Sequence, residues 1–258
     1  MGIDSTSDIR IVLVEPSHPG NIGAVARAMM NMDLQQLVLV RPREFPHPEA
    51  TARAAGAEVV LASARVVATL EEAIADCGFV AAATSRNRDQ NYRVLDVQEA
   101  AVRAVAESRR APVALLFGAE RTGLMNEHLE ASHVLLRIPA SRDYASLNLA
   151  MAVQLVSYEI FRARGTHGTA GVSREIADAP LASPPQMQQL YSHLEQVLQE
   201  IDFKDRTKAG THLMSRIRRF LQRAELDLNE VNILRGILTA IQNRRRMAGA
   251  THVPKADS

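Results

Sequence analysis

The apolar positions of the chain cluster in short runs separated by polar, helix-forming stretches. Residues 9–15 (IRIVLVE) and 36–40 (QLVLV) are β-branched or leucine-rich and predict strands. Four more runs, 58–61, 79–84, 112–117 and 133–138, read the same way. Helical patterns lie between several of them, over 21–32, 48–55, 70–76 and 96–107, and a longer one follows over 146–162. Strands alternating with helices predict an α/β domain with a mostly parallel sheet.

The character changes after residue 164. Residues 165–185, GTHGTAGVSREIADAPLASPP, are rich in Gly, Ala, Ser, Thr and Pro, which is linker composition. Three further helices are predicted over 185–200, 207–223 and 227–245, with Pro185 suited to open the first. The expected organisation is an α/β domain over 1–164, a flexible linker over 165–185 and a small all-α extension over 186–258. In the second of those helices, residues 213, 217, 220 and 221 (Leu, Ile, Phe, Leu) supply an apolar side, and Arg216, Arg219 and Arg223 a basic stripe by the i+3 and i+4 rule.

Composition sharpens this picture. The chain has 258 residues, enough for a domain with a real core plus a smaller module. A formal net charge of +1 hides an asymmetry: residues 1–160 hold 15 basic and 19 acidic residues, whereas 203–246 hold 11 basic and 4 acidic. A basic module on a mildly acidic one suits a polyanionic partner. The single cysteine, Cys77, rules out a disulfide within the chain and fits a buried apolar role in a reducing cytoplasm. No apolar run is long enough for a membrane span, and the first residues lack the features of a signal peptide. No metal site is expected. Aromatic residues are scarce, so base stacking on aromatics is not the main expectation.

Three segments carry candidate chemistry. The first, EPSHPGNIGAVAR (15–27), runs from a strand through a Pro/Gly turn into a helix. Asn21 reads as its N-cap, with amide donors exposed at the helix start, and Arg27 follows six residues on. A plain cap and an anion site explain Asn21 equally well. The second, VALLFGAERTGL (113–124), ends a buried strand in Gly118 and sets Glu120 where α/β sheets gather ligands. The third, LRIPASRDYASLNLAMA (136–152), ends a strand near Ile138 and opens a helix at Ser146-Leu147-Asn148, with Ser146 as its expected cap. Neither G-x-G-x-x-G nor a P-loop follows the first strand, which argues against the ordinary nucleotide-binding motifs.

In this order, N-x-G-x-x-x-R, F-G-x-E-x-x-G-L and I-P-x(6)-S-L-N resemble the SpoU branch of the SPOUT RNA methyltransferases. The longer strings EPSHPGNIGAVARAM and YASLNLAMAVQ resemble those members of the branch that methylate the ribose 2′-hydroxyl of nucleotide 32 in the tRNA anticodon loop. The resemblance implies a domain with a deep trefoil knot, a homodimer with its active site at the subunit interface, and S-adenosylmethionine as cofactor. It implies that Ala83, Thr84, Ser85, Gly118, Ile138, Ser146 and Leu147 surround the cofactor. Asn21, Arg27, Glu120, Ser146 and Asn148 match the catalytic constellation. RNA contacts are expected from Arg27 and from Arg216, Arg219 and Arg223. The competing expectations are methylation of ribosomal RNA and a non-catalytic RNA-binding dimer of the same fold.

Overall fold

The computed structural model describes residues 8–85, 92–141, 143, 145–165, 180–203 and 213–250, and the side chains of these up to residue 244. Seven parallel strands form one sheet: β1 (Ile9–Val14), β2 (Gln36–Val40), β3 (Arg65–Val67), β4 (Phe79–Ala83), β5 (Val94–Asp96), β6 (Val113–Phe117) and β7 (Val134–Arg137). Their order is β3-β2-β1-β6-β4-β7-β5. The central strands β1, β6 and β4 are buried nearly throughout, which is why they read as unbroken apolar runs.

Successive side chains of a strand face opposite sides, and β1 shows the consequence. Ile9, Ile11 and Leu13 enter one core layer, with α1 (Pro19–Met30), α2 (Pro48–Ala54), α3 (Glu58–Ala62), α5 (Val97–Glu107) and α7 (Leu149–Gly165). Val12 and Val14 enter the other, with α4 (Leu70–Ile74) and α6 (Asn126–Glu130). Cys77 is buried in that second layer as expected, and burial pushes its thiol up to about 12.

The strand expected over 58–61 is instead the short helix α3. Only Val60 and Leu61 of that run are buried, and Val59 is exposed, so the segment has one apolar face where a buried strand has two. The edge strands β3 and β5 and the one-turn helix α6 escaped the sequence pattern. Each is three to five residues long and partly exposed.

The C-terminal part contains α8 (Pro184–Glu200), α9 (Leu213–Ala224) and α10 (Leu228–Ala250), around a core of Leu190, Tyr191, Val197, Leu221, Val231 and Leu238. Most of the expected linker (166–179) and the expected start of the second helix (207–212) lie outside the described residues. Within residues 180–185, Ala182 is buried and donates its N–H to the Leu226 carbonyl at 2.8 Å, while Pro180 and Pro185 are exposed. Ser183 caps α8 in a capping box with Gln186.

Contacts join these helices to the amino ends of β4 and β7. The His133 ring accepts the Val80 N–H through Nδ1 at 3.0 Å, meets the Ala182 carbonyl at 3.3 Å and stacks on Phe79. Arg93, at 2.5 Å, and Arg103 both grip the Glu225 carboxylate. Gln222 donates to the Glu130 and Ser132 carbonyls. Arg218 lies over the Tyr191 ring and faces Glu130 at 3.8 Å. Ile217 packs on the C-terminal core as expected, and the expected basic stripe faces outward, Arg216 and Arg223 being exposed and Arg219 partly so. Leu221 is buried, but Phe220, expected on the apolar side, is 51% exposed. No helix among the described residues is long and apolar enough to cross a membrane.

Candidate active site

The three chemical segments meet at the carboxyl ends of β1, β6 and β7. Past β1 the chain turns at Glu15, which takes a left-handed φ of 52°. Pro19 then opens α1, its fixed φ and missing N–H suited to a first helical position. The N-cap is therefore His18, not Asn21. The His18 Nδ1 accepts the Gly20 N–H at 3.2 Å, and Asn21 sits inside the first turn with its N–H on the His18 carbonyl at 3.0 Å. Relieved of capping, the Asn21 side chain turns to Glu120.

Glu120 is the centre of the arrangement. One carboxylate oxygen accepts from the Ser17 N–H at 3.0 Å and the Ser17 hydroxyl at 2.6 Å. The other accepts from Asn21 Nδ2 at 2.8 Å and the His18 N–H at 3.3 Å. Burial by itself raises the carboxyl pKa, but the hydrogen bonds from Ser17 and Asn21 outweigh it and hold Glu120 at about 2. Ser17 was not singled out in the sequence: its partner lies 103 residues away, and no local pattern marks such a contact.

Asn148 continues the chain of bonds. Its Nδ2 donates to Asn21 Oδ1 at 3.2 Å, and its Oδ1 accepts the Ala150 N–H at 2.9 Å. Asn148 thus caps α7, the role expected of Ser146; Ser146 is exposed two residues earlier. Arg27 stands apart on the exposed side of α1, about 9 Å farther along the helix than Asn21 at 1.5 Å per residue. The fold joins Asn21, Glu120 and Asn148 in one network and leaves Arg27 outside it.

Beside this network is a cavity of about 320 Å³ at the carboxyl ends of β4, β6 and β7. All seven residues expected around a cofactor line it: Ala83, Thr84, Ser85, Gly118, Ile138, Ser146 and Leu147. Gly118 is required by the loop itself. A Cβ there would lie 2.2 Å from the Gly123 carbonyl carbon and 2.3 Å from the Leu124 nitrogen. The loop folds back that tightly because Gly123 takes a φ of 66° and donates its N–H to the Ala119 carbonyl at 2.8 Å. A larger cavity of about 570 Å³ lies at the seat of α8 and α9 and contains none of the expected site residues. Among the described residues no group of three His, Cys, Asp or Glu side chains is arranged to hold a metal.

A parallel sheet with such a loop-built cavity beside an Asn–Glu–Asn network fits the SPOUT class of methyltransferases that the sequence motifs resemble. The chain belongs to the SpoU rRNA Methylase family, whose model matches residues 8–158. Residues 185–252 match the C-terminal domain of the tRNA methyltransferase TrmJ. The tRNA (cytidine/uridine-2′-O-)-methyltransferase TrmJ of Yersinia enterocolitica is 44% identical over 240 residues, 92% of each chain. The protein of that name from Escherichia coli is 43% identical over 93% of this chain and 97% of its own. Among solved structures, TrmJ from Z. mobilis ZM4 is 32% identical with a TM-score of 0.75, covering 90% of this chain and 98% of its own.

Proposed function

We propose that the protein is an S-adenosylmethionine-dependent tRNA ribose 2′-O-methyltransferase that acts on cytidine or uridine at nucleotide 32 of the anticodon loop, as a cytoplasmic homodimer. The observation that carries this reading is similarity along nearly the whole chain to relatives named tRNA (cytidine/uridine-2′-O-)-methyltransferase; nucleotide 32 is what the resemblance of residues 15–29 and 144–154 implies. The match of the C-terminal helices to a tRNA methyltransferase domain favours tRNA over ribosomal RNA.

The cavity suits the cofactor. Leu124, Leu136, Ile138 and Leu147 offer an apolar wall for adenine, while Thr84, Ser85 and Ser146 and the loop backbones offer polar partners for the ribose and the amino-acid end. S-adenosylmethionine supplies an electrophilic methyl group on a sulfonium. The protein's part is to hold the ribose hydroxyl in line and to stabilise its developing negative charge. Glu120, held at about 2 and surrounded by four donors, is a very weak base at neutral pH. It acts as a positioning residue that fixes Asn21 and, through it, Asn148. The guanidinium of Arg27 holds a phosphate or stabilises the alkoxide.

A dimer brings the separated parts together. Met151, Leu155, Tyr158 and Phe161 are 62%, 41%, 45% and 49% exposed and fall within an arc of about 120° on α7. Met30, three residues after Arg27 on the neighbouring α1, is 41% exposed. An apolar surface of this kind supports a partner chain seated on it, with Arg27 at its margin.

The test is methyl transfer from labelled cofactor to tRNA and ribosomal RNA, with the product mapped by nuclease digestion and mass spectrometry. A 2′-O-methyl group at nucleotide 32 of tRNA is expected. Label confined to ribosomal RNA, or carried on a base, overturns the proposal.

A further inference from the structure

The inward side of α9 is defined by contacts: Met214 packs on the C-terminal core, Arg218 reaches Tyr191 and Glu130, Leu221 is buried, and Gln222 bonds two backbone carbonyls. At 100° per residue these four positions span about 100°. The opposite arc of about 100° is occupied by four other residues, Arg216, Arg219, Phe220 and Arg223. Arg216, Phe220 and Arg223 are exposed and Arg219 is partly so. The helix contains no acidic residue.

Phe220 stands at the margin of that arc, one turn from both Arg216 and Arg223, with its ring half exposed and outside the C-terminal core. We infer that Phe220 is a stacking platform for an unpaired base of the RNA, with Arg216, Arg219 and Arg223 holding the flanking phosphates. This rests on the reading of the protein as a tRNA-modifying enzyme and adds a contact that reading does not contain. A π-face set among cations is the combination that binds single-stranded nucleic acid, because every base stacks and every nucleotide carries a phosphate. Charge decides against a second copy of the same face as occupant: two-fold pairing would set three arginines against three. A polyanion with exposed bases satisfies both the ring and the charges.

The chain has no tryptophan, so Phe220→Trp installs a single fluorescent reporter that keeps the stacking face. Its emission should be quenched when tRNA binds. Phe220→Leu keeps apolar bulk without a π-face and should weaken tRNA binding about tenfold. The slope of log K against log salt should be unchanged in Phe220→Leu, whereas Arg223→Gln should lower its magnitude by about 0.7 through loss of one phosphate contact to a single strand. Unchanged emission at saturating tRNA overturns the inference, as does wild-type affinity in Phe220→Leu. A Phe220→Leu variant that loses self-association with tRNA binding intact would assign the ring to a protein contact and likewise overturn it. Wild-type enzyme that methylates tRNA while Phe220→Leu binds normally removes the stacking platform alone. Wild-type enzyme that transfers no methyl group to tRNA removes the functional reading instead.

Discussion

Replacing Glu120 by glutamine tests the centre of the candidate site. The change keeps size and shape but removes the charge and turns one acceptor oxygen into a donor. Four donors, two from Ser17 and one each from His18 and Asn21, then face a group able to satisfy only part of them. The drop of the carboxyl from its ordinary 4.5 to about 2 corresponds in full to ~3 kcal/mol. Solvent screening at this half-buried position reduces the expected loss of stability to ~1–2 kcal/mol at pH 7. The sign follows from linkage. A carboxylate with a depressed folded-state pKa contributes its stabilisation above the unfolded value and loses it as pH falls through the window from 4.5 to about 2. Denaturant unfolding of wild type and Glu120→Gln, from pH 7 down to pH 3, should therefore show a difference that shrinks to roughly half or less at the acid end. Single-turnover methyl transfer by the variant should also fall, because Asn21 and Asn148 lose their anchor. A stability difference that stays constant across the range would refute the charged hydrogen-bond network as the source of the stabilisation.

Arg27→Ala should leave cofactor affinity near normal and lower single-turnover methyl transfer at saturating tRNA by ~10²-fold, the usual scale for losing one group that stabilises developing charge; near-normal rates would remove its catalytic role. Gly118→Ala should cost ~1–3 kcal/mol of stability, since its Cβ would meet the loop backbone at 2.2 Å, and should weaken cofactor binding measured by calorimetry; an unchanged affinity would separate this loop from the cofactor. Tyr158→Glu, in the exposed apolar face of α7, should yield monomers in sedimentation velocity; a variant that remains dimeric would assign the interface elsewhere.

The long buried strands β1, β2, β4, β6 and β7 were legible because a strand covered on both faces needs an unbroken apolar run. Where a segment is short or covered on one face only, as in β3, β5 and α3, composition no longer separates strand from helix. The cap of α1 was legible in principle: Pro19 marks a first helical position and points to His18, yet Asn21 is the stronger capping type in isolation. The role of Asn21 depends on a carboxylate 99 residues away, which no local signal carries. One position of α9, Phe220, departs from its expected side for a related reason. The inward face of the helix includes Arg218 and Gln222, which satisfy Glu130 and two backbone carbonyls, so a count of apolar residues assigned Phe220 to the wrong side.

The contacts on the inward side of α9 also set it apart from the cavity along the sheet. The cavity is built from loops at the carboxyl ends of β4, β6 and β7, whereas α9 is anchored through Glu130 and Ser132, and Glu225 just past it, near the amino ends of β4 and β7. A strand of five residues spans about 17 Å, so the two regions lie at opposite ends of the strands. Burial lowers the pKa of His133 and keeps its ring neutral, able to accept the Val80 N–H and still meet the Ala182 carbonyl. Two guanidiniums fix Glu225 just past the end of α9. Held in this way, α9 turns its basic face away from the core that its inward contacts define. On the proposed reading the RNA must bridge the distance, either along the length of the sheet or into the cavity of a partner subunit. Contacts made by α9 then supply affinity and orientation, and the Asn21–Glu120–Asn148 network supplies the geometry of transfer. The division explains why the arginines of α9 and the glutamate of the β6 loop can be altered separately, each with its own readout.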